Sequence, residues 1–377
     1  MKFLSNFAIS IASTVLTVLL FLAVDFSISP RFIPYFDGVW EDRVNPYLSD
    51  DDGWYELKKS FHGKGHWGNY IYDVNTNQLG FRSENVDDLT GQAEYIFLGD
   101  SFTFGVNGPY ADTFVGMFSN ALKNNLVLNA GVPSYSPTVY LHQYKKALNA
   151  NSLKKHHKVI IALDISDIQD EAACWVDGKE HPIKLNGPCK PSKSEMKSLG
   201  FWREIKNRLR FTRSIIQLID MRFRPERYGI PVRDSVFNQA RSGFTWQSWR
   251  DLNKNDFPDG YLPNGVVGGM TRIDAKVAAI INLAQKHEAE VYLLTYPWPA
   301  QLKYPQKFNY QEWVNKICKK NKCAGVIDTF PDFNKGMGSD FYSKYYLQGD
   351  IHFNKDGNLV IANKLVNYFP QINKLNK

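Results

Sequence analysis

The chain has 377 residues, a formal net charge of +7 at neutral pH, and 44% hydrophobic and 22% charged residues. This length and composition suit one or two globular domains with an ordinary core. The basic residues are spread along the chain without a nucleic-acid-binding motif, which argues against a nucleic-acid partner. An aromatic content of 14% is typical of carbohydrate-handling or membrane-adjacent proteins, although a dense core explains it equally well.

The chain begins with an apolar segment. Residues 7–24 form an uncharged run, FAISIASTVLTVLLFLAV, long enough as a helix to span most of a bilayer core of about 30 Å. The candidate sites for a signal peptidase are poor, since Phe21 would stand at the −3 position around Ala23 and Pro30 follows Ser27-x-Ser29. This favours a retained transmembrane signal anchor over residues 1–25. The positive charge of Lys2 and the positive-inside tendency predict that the N-terminus lies in the cytoplasm. The rest of the chain after the anchor then lies outside the cytoplasm. A core helix of a soluble protein is the alternative.

The four cysteines form two local pairs, Cys174 with Cys189 and Cys318 with Cys323. Two disulfides in an oxidising compartment fit this pattern, and four free buried thiols are the alternative. A zinc site is disfavoured because Cys318 and Cys323 have no second ligand pair nearby. We expect no metal and no cofactor.

Residues 26–92 are polar, aromatic and rich in turns, and we interpret them as a stalk and an N-terminal elaboration packed on the main domain. Residues 70–74 alternate like a short strand, and residues 77–82 have the composition of a turn. No chemistry can be assigned to this segment from its sequence.

From residue 93 onward, strands and helices alternate, apart from an insertion at about residues 170–270. The predicted strands cover residues 95–98, 127–132, 159–163, 291–295 and 325–328. The predicted helices cover residues 112–122, 136–148, 275–289, 310–318 and 356–369. Repeated βα units predict an α/β fold with a parallel sheet and helices on both faces.

The insertion contains a pattern typical of an amphipathic helix. Trp202, Ile205, Leu209 and Ile216 recur at helical spacing with basic residues between them. The favoured interpretation is a helix with one buried stripe and a solvated basic face. A lid or groove for an acidic glycan, or a face lying on anionic lipid, are the alternatives.

Four acidic residues follow the third predicted strand: Asp164, Asp167, Asp170 and Glu171. A cation or a sugar could bind there. Helix capping and salt bridges to the basic insertion are the favoured interpretation.

Ser101 follows directly on a predicted buried strand, in the turn Gly99-Asp100-Ser101, so its hydroxyl should lie at the carboxyl edge of the sheet, where ligands bind in open α/β folds. A serine nucleophile needs a base in hydrogen-bond reach, and the base needs an orienting group. Asp350 and His352 precede the last helix, and residues two apart in extended chain point to one side. Asp350 can then orient His352 as the base for Ser101.

Taken separately, both motifs are weak. A turn serine usually only caps a helix, and an Asp-x-His pair can be a metal pair or a salt bridge. Their joint placement, with the serine early and the Asp-His pair before the last helix, is what predicts a catalytic triad.

Taken together, these motifs resemble those of the SGNH/GDSL hydrolases over roughly residues 93–170 and 271–370. Gly131, in Asn129-Ala130-Gly131, matches the glycine of the second family block. The resemblance implies a flavodoxin-like three-layer α/β/α fold with a parallel sheet. It also implies an oxyanion hole in which the backbone amides of Ser101 and Gly131 are donors.

Two departures from the family pattern matter. The third block usually reads Gly-x-Asn-Asp, whereas residues 164–167 read Asp-Ile-Ser-Asp and place Ser166 at the asparagine position. A hydroxyl donates less rigidly than an amide, and loss of one oxyanion donor typically costs about 10²–10³ in rate. The family usually has Asp-x-x-His, whereas Asp350 and His352 form a shorter Asp-x-His. This spacing is similar to that of the periplasmic alginate O-acetyltransferase-like branch, whose members tend to be membrane-anchored and to act on exported polysaccharide.

The resemblance implies a serine esterase or an O-acyltransferase that acts on acyl groups, acetyl foremost, of an exported or cell-surface glycan. Ser101 would attack, His352 would act as base and then as acid, and Asp350 would orient His352. The expected location is a bacterial inner membrane with the bulk in the periplasm, and the expected partners are an acylated glycan or acyl donor and a donor membrane protein. A non-catalytic glycan-binding or assembly protein on a degenerate scaffold is the alternative, motivated by Ser166 and the aromatic insertion.

Overall fold

The computed structural model describes residues 2–29, 47–49, 54–67, 70–86, 91–106, 108–122, 127–184, 208–223, 265–303, 308–338, 340–347 and 350–369. The chain divides into two compact units. The first unit combines Met1–Val39 with Pro191–Val232, and the second combines Trp40–Lys190 with Arg233–Lys377.

The second unit contains all the described strands. They are β1 Tyr47–Ser49, β2 Tyr55–Leu57, β3 His62–Trp67, β4 Tyr70–Thr76, β5 Arg82–Ser83, β6 Ala93–Leu98, β7 Val127–Asn129, β8 Leu153–Leu163, β9 Trp175–Val176, β10 Ile183–Lys184, β11 Glu290–Thr295 and β12 Gly325–Asp328.

The described helices are divided between the units. Those of the first unit are α1 Lys2–Ile28 and α6 Arg210–Phe223. Those of the second unit are α2 Ser101–Phe104, α3 Phe114–Ala121, α4 Pro137–Asn149, α5 Ser166–Ala173, α7 Gly265–Lys286, α8 Pro299–Lys303, α9 Tyr310–Asn321, α10 Phe330–Asn334, α11 Phe341–Tyr345 and α12 Lys355–Tyr368.

An eight-stranded mixed sheet forms the centre of the second unit, in the order β12-β11-β8-β6-β7-β5-β4-β3. The strands β6, β7, β8, β11 and β12 pair in parallel. Numbered along the chain, these five parallel strands have the spatial order 2-1-3-4-5, which is the flavodoxin-like order. The predicted α/β fold with a parallel core is therefore confirmed.

Antiparallel strands extend this parallel core, because β3, β4 and β5 join the sheet beside β7. β5 pairs with the edge of β7, where Arg82 lies opposite Asn129. An unpaired strand edge exposes a row of backbone donors and acceptors, and β5 satisfies part of the edge of β7. The elaboration before residue 93 is thus continuous with the main sheet.

Helices cover both faces of the sheet. Successive side chains of a strand point to opposite faces, and in the central strands both sets are apolar and need to be covered. One hydrophobic cluster contains Ile96, Leu98 and Ile161, together with side chains from α4, α7 and α9. The other contains Tyr95 and Phe97, together with side chains from α3, α11 and α12. This is the predicted three-layer arrangement, and it explains why residues 95–98 of β6 and 159–163 of β8 form unbroken apolar runs.

A disulfide joins Cys318 at the end of α9 to Cys323, with a Cα–Cα separation of 4.9 Å. This is one of the two predicted pairs. Cys174 is also disulfide-bonded, while Cys189 lies outside the described residues.

In the first unit, residues 9–28 of α1 are long and apolar enough to cross a membrane, and only 6% of this window is buried. α6 packs against α1. In α6, Ile216 is exposed, so the prediction that it belongs to a buried stripe is wrong. Of the other predicted members of that stripe, Leu209 is half-buried. Trp202 and Ile205 lie outside the described residues.

Candidate active site

The strand order places a crevice at the carboxyl ends of β6 and β8. These two strands are adjacent, and the chain leaves β6 towards β7 on one side while β8 continues towards β11 on the other. Ligands of open α/β sheets bind at such a switch point. Ser101 comes shortly after the end of β6, and Asp164 follows directly on β8.

Ser101 is the first residue of α2, a single helical turn. Asp100 caps this turn, since its Oδ1 accepts a hydrogen bond of 2.9 Å from the backbone N–H of Phe102. Gly105 ends the turn with a φ of 80°, a left-handed conformation that favours glycine, and its N–H donates to Ser101 O. Both ends of the turn are therefore fixed by local chemistry, which holds Ser101 in a defined position.

Ser101, His352 and Asp350 form a hydrogen-bonded chain. Ser101 Oγ lies 2.7 Å from His352 Nε2, and His352 Nδ1 lies 2.6 Å from Asp350 Oδ1. An ionised carboxylate only accepts hydrogen bonds, so Nδ1 carries the proton and Nε2 accepts from the serine hydroxyl. This is the geometry in which an imidazole removes the proton of a serine nucleophile.

The Asp350 carboxylate is held in its charged form. Burial alone would raise its pKa, but hydrogen bonds and charge attraction from His352, with a hydrogen bond from Trp67, outweigh burial and lower the pKa to about 2. The Nε1–H of Trp67 donates to Asp350 Oδ2 over 2.6 Å. Each carboxylate oxygen therefore has its own donor, which fixes the carboxylate plane relative to the imidazole.

Aromatic rings surround the imidazole of His352, which is buried. The Phe102 ring lies 4.5 Å from it, centroid to centroid, and the Trp67 ring meets it edge-on at 5.0 Å. The hydroxyl of Tyr342 accepts from the backbone N–H of Asp350 over 2.9 Å. These contacts leave the imidazole of His352 little rotational freedom.

Two of the three oxyanion donors implied by the family resemblance, those of Gly131 and Ser166, already have partners within the protein. The N–H of Gly131 donates to Asn129 Oδ1 over 3.0 Å. The hydroxyl and the N–H of Ser166 both donate to Asp164 Oδ1, over 2.6 and 2.7 Å. An acyl oxygen in this crevice would have to share or replace these bonds. Gly131 itself lies so close to α2 that an added Cβ would come within 2.6 Å of Phe104 N.

Several buried carboxyl groups follow the end of β8. Asp164 accepts from Trp298, Asp167 accepts from Tyr140, and Glu171 caps α4 by accepting from the N–H of Thr138 over 2.6 Å. The favoured capping interpretation is therefore right for Glu171. Burial raises the pKa of Asp170 well above its usual value, and the charge of Lys184, which lies in the described part of the insertion, opposes this rise. Within the described ranges, no cluster of histidine, cysteine and acidic side chains could hold a metal ion.

Asp100 should make the stability of the fold pH-dependent. Burial raises the pKa of its carboxyl well above the usual value, and the charge of Asp164 raises it further. When the pKa of a carboxyl is higher in the folded than in the unfolded chain, its contribution to stability is fully present below the pKa of the unfolded chain, about 4. This contribution is lost as the pH rises through the pKa of the folded chain. We expect Asp100→Asn to weaken the fall in unfolding free energy between pH 5 and pH 8, measured by urea unfolding in detergent. Asp356→Asn, at an exposed position, is the control, and equal pH dependence in wild type and Asp100→Asn would contradict this expectation.

Arg82 anchors the loop that follows the candidate nucleophile. It is fully buried, and its guanidinium donates to the carbonyl oxygens of Phe104, Gly105 and Gly108. The carbonyl oxygens at the end of α2 have no N–H donors within the helix, and the guanidinium of Arg82 donates to them instead. Neither Trp67 nor Arg82 was identified from the sequence, and the only local signal was the strand-like alternation of residues 70–74.

The fold and the site together define a flavodoxin-like α/β scaffold with a Ser-His-Asp triad at its switch point. No protein-family model and no curated protein matches the sequence. Among solved structures, a G-D-S-L family lipolytic protein from Veillonella parvula is 12% identical, with a TM-score of 0.40 over 74% of this chain and 98% of that chain. An acetylxylan esterase from Geobacillus stearothermophilus is 12% identical, with a TM-score of 0.38 over 74% of this chain and 95% of that chain.

At identities and TM-scores this low, these likenesses carry no argument about what the chain does. The matched structures are a GDSL lipolytic protein and an acetylxylan esterase. Neither tests the resemblance to the alginate O-acetyltransferase-like branch. That finer resemblance stays a prediction.

Proposed function

We propose that the protein is a serine esterase or O-acyltransferase in which Ser101 is the nucleophile, His352 the base and acid, and Asp350 the orienting group. The observation that carries the proposal is the buried hydrogen-bonded chain from Ser101 Oγ through His352 to Asp350, with contacts of 2.7 and 2.6 Å. A serine that only capped a helix would need neither the imidazole nor the carboxylate.

In the first step, Ser101 Oγ forms a bond to the acyl carbon while its proton passes to His352 Nε2. The ester C–O bond then breaks, and the leaving alkoxide takes that proton. In the second step His352 removes a proton from the acceptor, whose oxygen forms a bond to the acyl carbon. The bond between that carbon and Ser101 Oγ then breaks, and Ser101 Oγ takes the proton back from His352 Nε2. Water as acceptor gives hydrolysis, and a sugar hydroxyl gives transfer. Asp350 stabilises the imidazolium formed in each step.

We further propose that the substrate is an acylated glycan outside the cytoplasm, with α1 as the membrane anchor in a bacterial inner membrane and the catalytic unit in the periplasm. The Cys318–Cys323 disulfide supports an oxidising compartment. The exposed apolar α1 supports anchoring. A membrane protein that delivers acyl groups would then be the partner for the transfer reaction.

The proposed activity is tested by acetate release from acetylated polysaccharide by the full chain in detergent. We expect release by wild type and background release by Ser101→Ala. Adding an unacetylated oligosaccharide tests transfer, because an acyltransferase would form acetylated oligosaccharide at the expense of free acetate. Equal acetate release by wild type and Ser101→Ala would contradict the proposal.

A non-catalytic glycan-binding or assembly role is the second candidate, favoured by one observation. Ser166 and the N–H of Gly131 are already hydrogen-bonded within the protein, which leaves the expected oxyanion hole incomplete. This candidate predicts that wild type and Ser101→Ala bind acetylated polysaccharide equally and that neither releases acetate. Release that depends on Ser101 would exclude it.

Trp67 is expected to be a positioning residue of the triad. Trp67→Phe keeps a ring beside His352 but removes the donor to Asp350, so one carboxylate oxygen loses its hydrogen bond and the pKa of Asp350 should rise. A hydrogen bond to a charged group contributes about 1.5–3 kcal/mol, so we expect kcat to fall roughly tenfold or more with KM nearly unchanged. Steady-state kinetics across pH provide the measurement.

The matched control for this variant is Trp175→Phe, which removes an indole donor to the backbone oxygen of Ser134 and not to a residue of the triad. It should leave kcat and its pH dependence close to wild type. A Trp67→Phe variant with wild-type kcat and pH dependence would show that Trp67 does not position Asp350.

A further inference from the structure

The helix α6 presents an apolar face that stays uncovered within the described part of the chain. Five large apolar side chains of this helix are 39–78% exposed: Phe211, Ile215, Ile216, Ile219 and Phe223. Four of them recur every four residues, and Ile216 lies three residues before Ile219 on the same side of the helix, so all five share one face. An exposed apolar stripe of this kind marks an interaction surface.

The carboxylate of Asp25 fixes α6 to the end of α1. Asp25 is only 4% exposed on a helix that is otherwise largely exposed, and its two oxygens accept from the N–H groups of Phe211 and Thr212 over 3.0 and 2.7 Å. Ser29 adds a hydrogen bond of 3.0 Å to the backbone oxygen of Arg208. Asp25 thus supplies the N-terminal cap of α6 from another helix.

This cap explains why an acidic residue can stand within the apolar window of residues 9–28. An ionisable group at membrane depth is costly unless it is paired or hydrogen-bonded, and Asp25 is satisfied by backbone donors of α6. Since Asp25 lies in the last turn of that window, α6 begins at the level where α1 would leave the hydrocarbon core.

The apolar face of α6 continues the exposed surface of α1. The rings of Phe21 and Phe211 meet edge-on with centroids 5.9 Å apart, and Val24 and Ile28 on α1 are also exposed. Arg208 lies two residues before α6 and Arg222 lies in its last turn, so positive charge lies near both ends of the helix. Apolar side chains flanked by arginines are the composition that binds the interface of an anionic bilayer.

We propose that α6 lies in the headgroup region of an anionic lipid bilayer, with its apolar face towards the acyl chains, beside the point where α1 leaves the membrane. The bilayer surface is therefore the occupant of the exposed stripe. The proposal depends on α1 spanning the membrane and is independent of any catalytic activity. The helix would restrain the anchor by a second, surface contact.

The test uses the full chain in vesicles of phosphatidylcholine and phosphatidylglycerol. Single cysteines introduced as Ile216→Cys and Ile219→Cys carry a spin label, and Leu359→Cys, at an exposed leucine of the second unit, is the water-exposed reference. Accessibility to oxygen, which concentrates in lipid, is compared with accessibility to a water-soluble nickel complex. We expect the oxygen-to-nickel ratio at residues 216 and 219 to exceed that at residue 359 severalfold.

A second variant keeps the proposal falsifiable if labelling disturbs the helix. Asp25→Ala removes the N-terminal cap that α1 supplies to α6. We expect this variant to reduce the oxygen-to-nickel ratio at residue 219 without changing the ratio at residue 359. A ratio at residues 216 and 219 equal to that at residue 359 would overturn the proposal. Spin–spin broadening between labels of different chains, with low accessibility to both reagents, would also overturn it and assign the face to a second copy.

Discussion

The Ser101→Ala variant should lose hydrolysis of p-nitrophenyl acetate by roughly 10⁴- to 10⁶-fold in kcat, as expected when the nucleophile of a triad is removed. Without Oγ no acyl-enzyme can form, and His352 has no group to deprotonate. The small ester avoids any dependence on the natural glycan, so its initial rate measures the triad alone.

The control for this variant is Ser343→Ala, an exposed serine of α11 near the Asp-His segment. It should retain the wild-type rate. A Ser101→Ala rate within a few-fold of wild type would mean that the hydrolysis proceeds elsewhere and that Ser101 is not the nucleophile.

The second large effect is on stability. Arg82→Met should lower the free energy of unfolding by about 3 to 5 kcal/mol, because it removes a buried cation and leaves several carbonyl oxygens without donors. Phe104 and Gly105, whose oxygens lose this donor, end the helical turn that begins at Ser101. We therefore expect esterase activity to fall together with stability, in urea unfolding followed by intrinsic fluorescence in detergent.

Arg82→Lys should not rescue the loss, since one ammonium group cannot serve the spread of carbonyls that a guanidinium reaches. The control is Arg272→Met, because Arg272 donates from Nε to a single carbonyl, that of Glu171, over 2.8 Å. An Arg82→Met protein that unfolds at the same urea concentration as wild type would show that the loop after Ser101 is held by other contacts.

The parallel core could be predicted because it depends on local patterns. Uninterrupted apolar runs at 95–98 and 159–163 predict strands buried on both faces, and the structure contains them in β6 and β8. The positions of Ser101 and of the Asp350–His352 pair at element ends predicted their meeting, because carboxyl ends of parallel strands share one edge of the sheet. The separation of 2.7 Å between Ser101 Oγ and His352 Nε2 then followed from the fold.

Trp67 and Arg82 could not be predicted because their roles depend on long-range pairing. Trp67 reaches Asp350 across 283 positions of sequence, through the pairing of β3 with β4. Nothing local to residues 77–82 indicates that Arg82 turns into the protein and binds backbone oxygens. The antiparallel extension of the sheet was missed for the same reason.

The exposure of Ile216 shows a different limit. Helical spacing of apolar residues predicts a face that avoids water, and this pattern is the same whether protein or lipid covers the face. Only the position of α6 against the end of α1, fixed by Asp25, distinguishes the two environments. The favoured assignment to a buried stripe was wrong at Ile216 because the spacing carries no information about the covering medium.

The most direct test of the triad is labelling of the full chain with a fluorophosphonate, which phosphonylates a serine only when a base activates it. We predict one adduct, located by mass spectrometry on the peptide that contains Ser101. The adduct should disappear in Ser101→Ala and be strongly reduced in His352→Ala. Folded wild-type protein that remains unlabelled, or that is labelled at a different serine, would contradict the assignment of Ser101, His352 and Asp350 as an active catalytic triad.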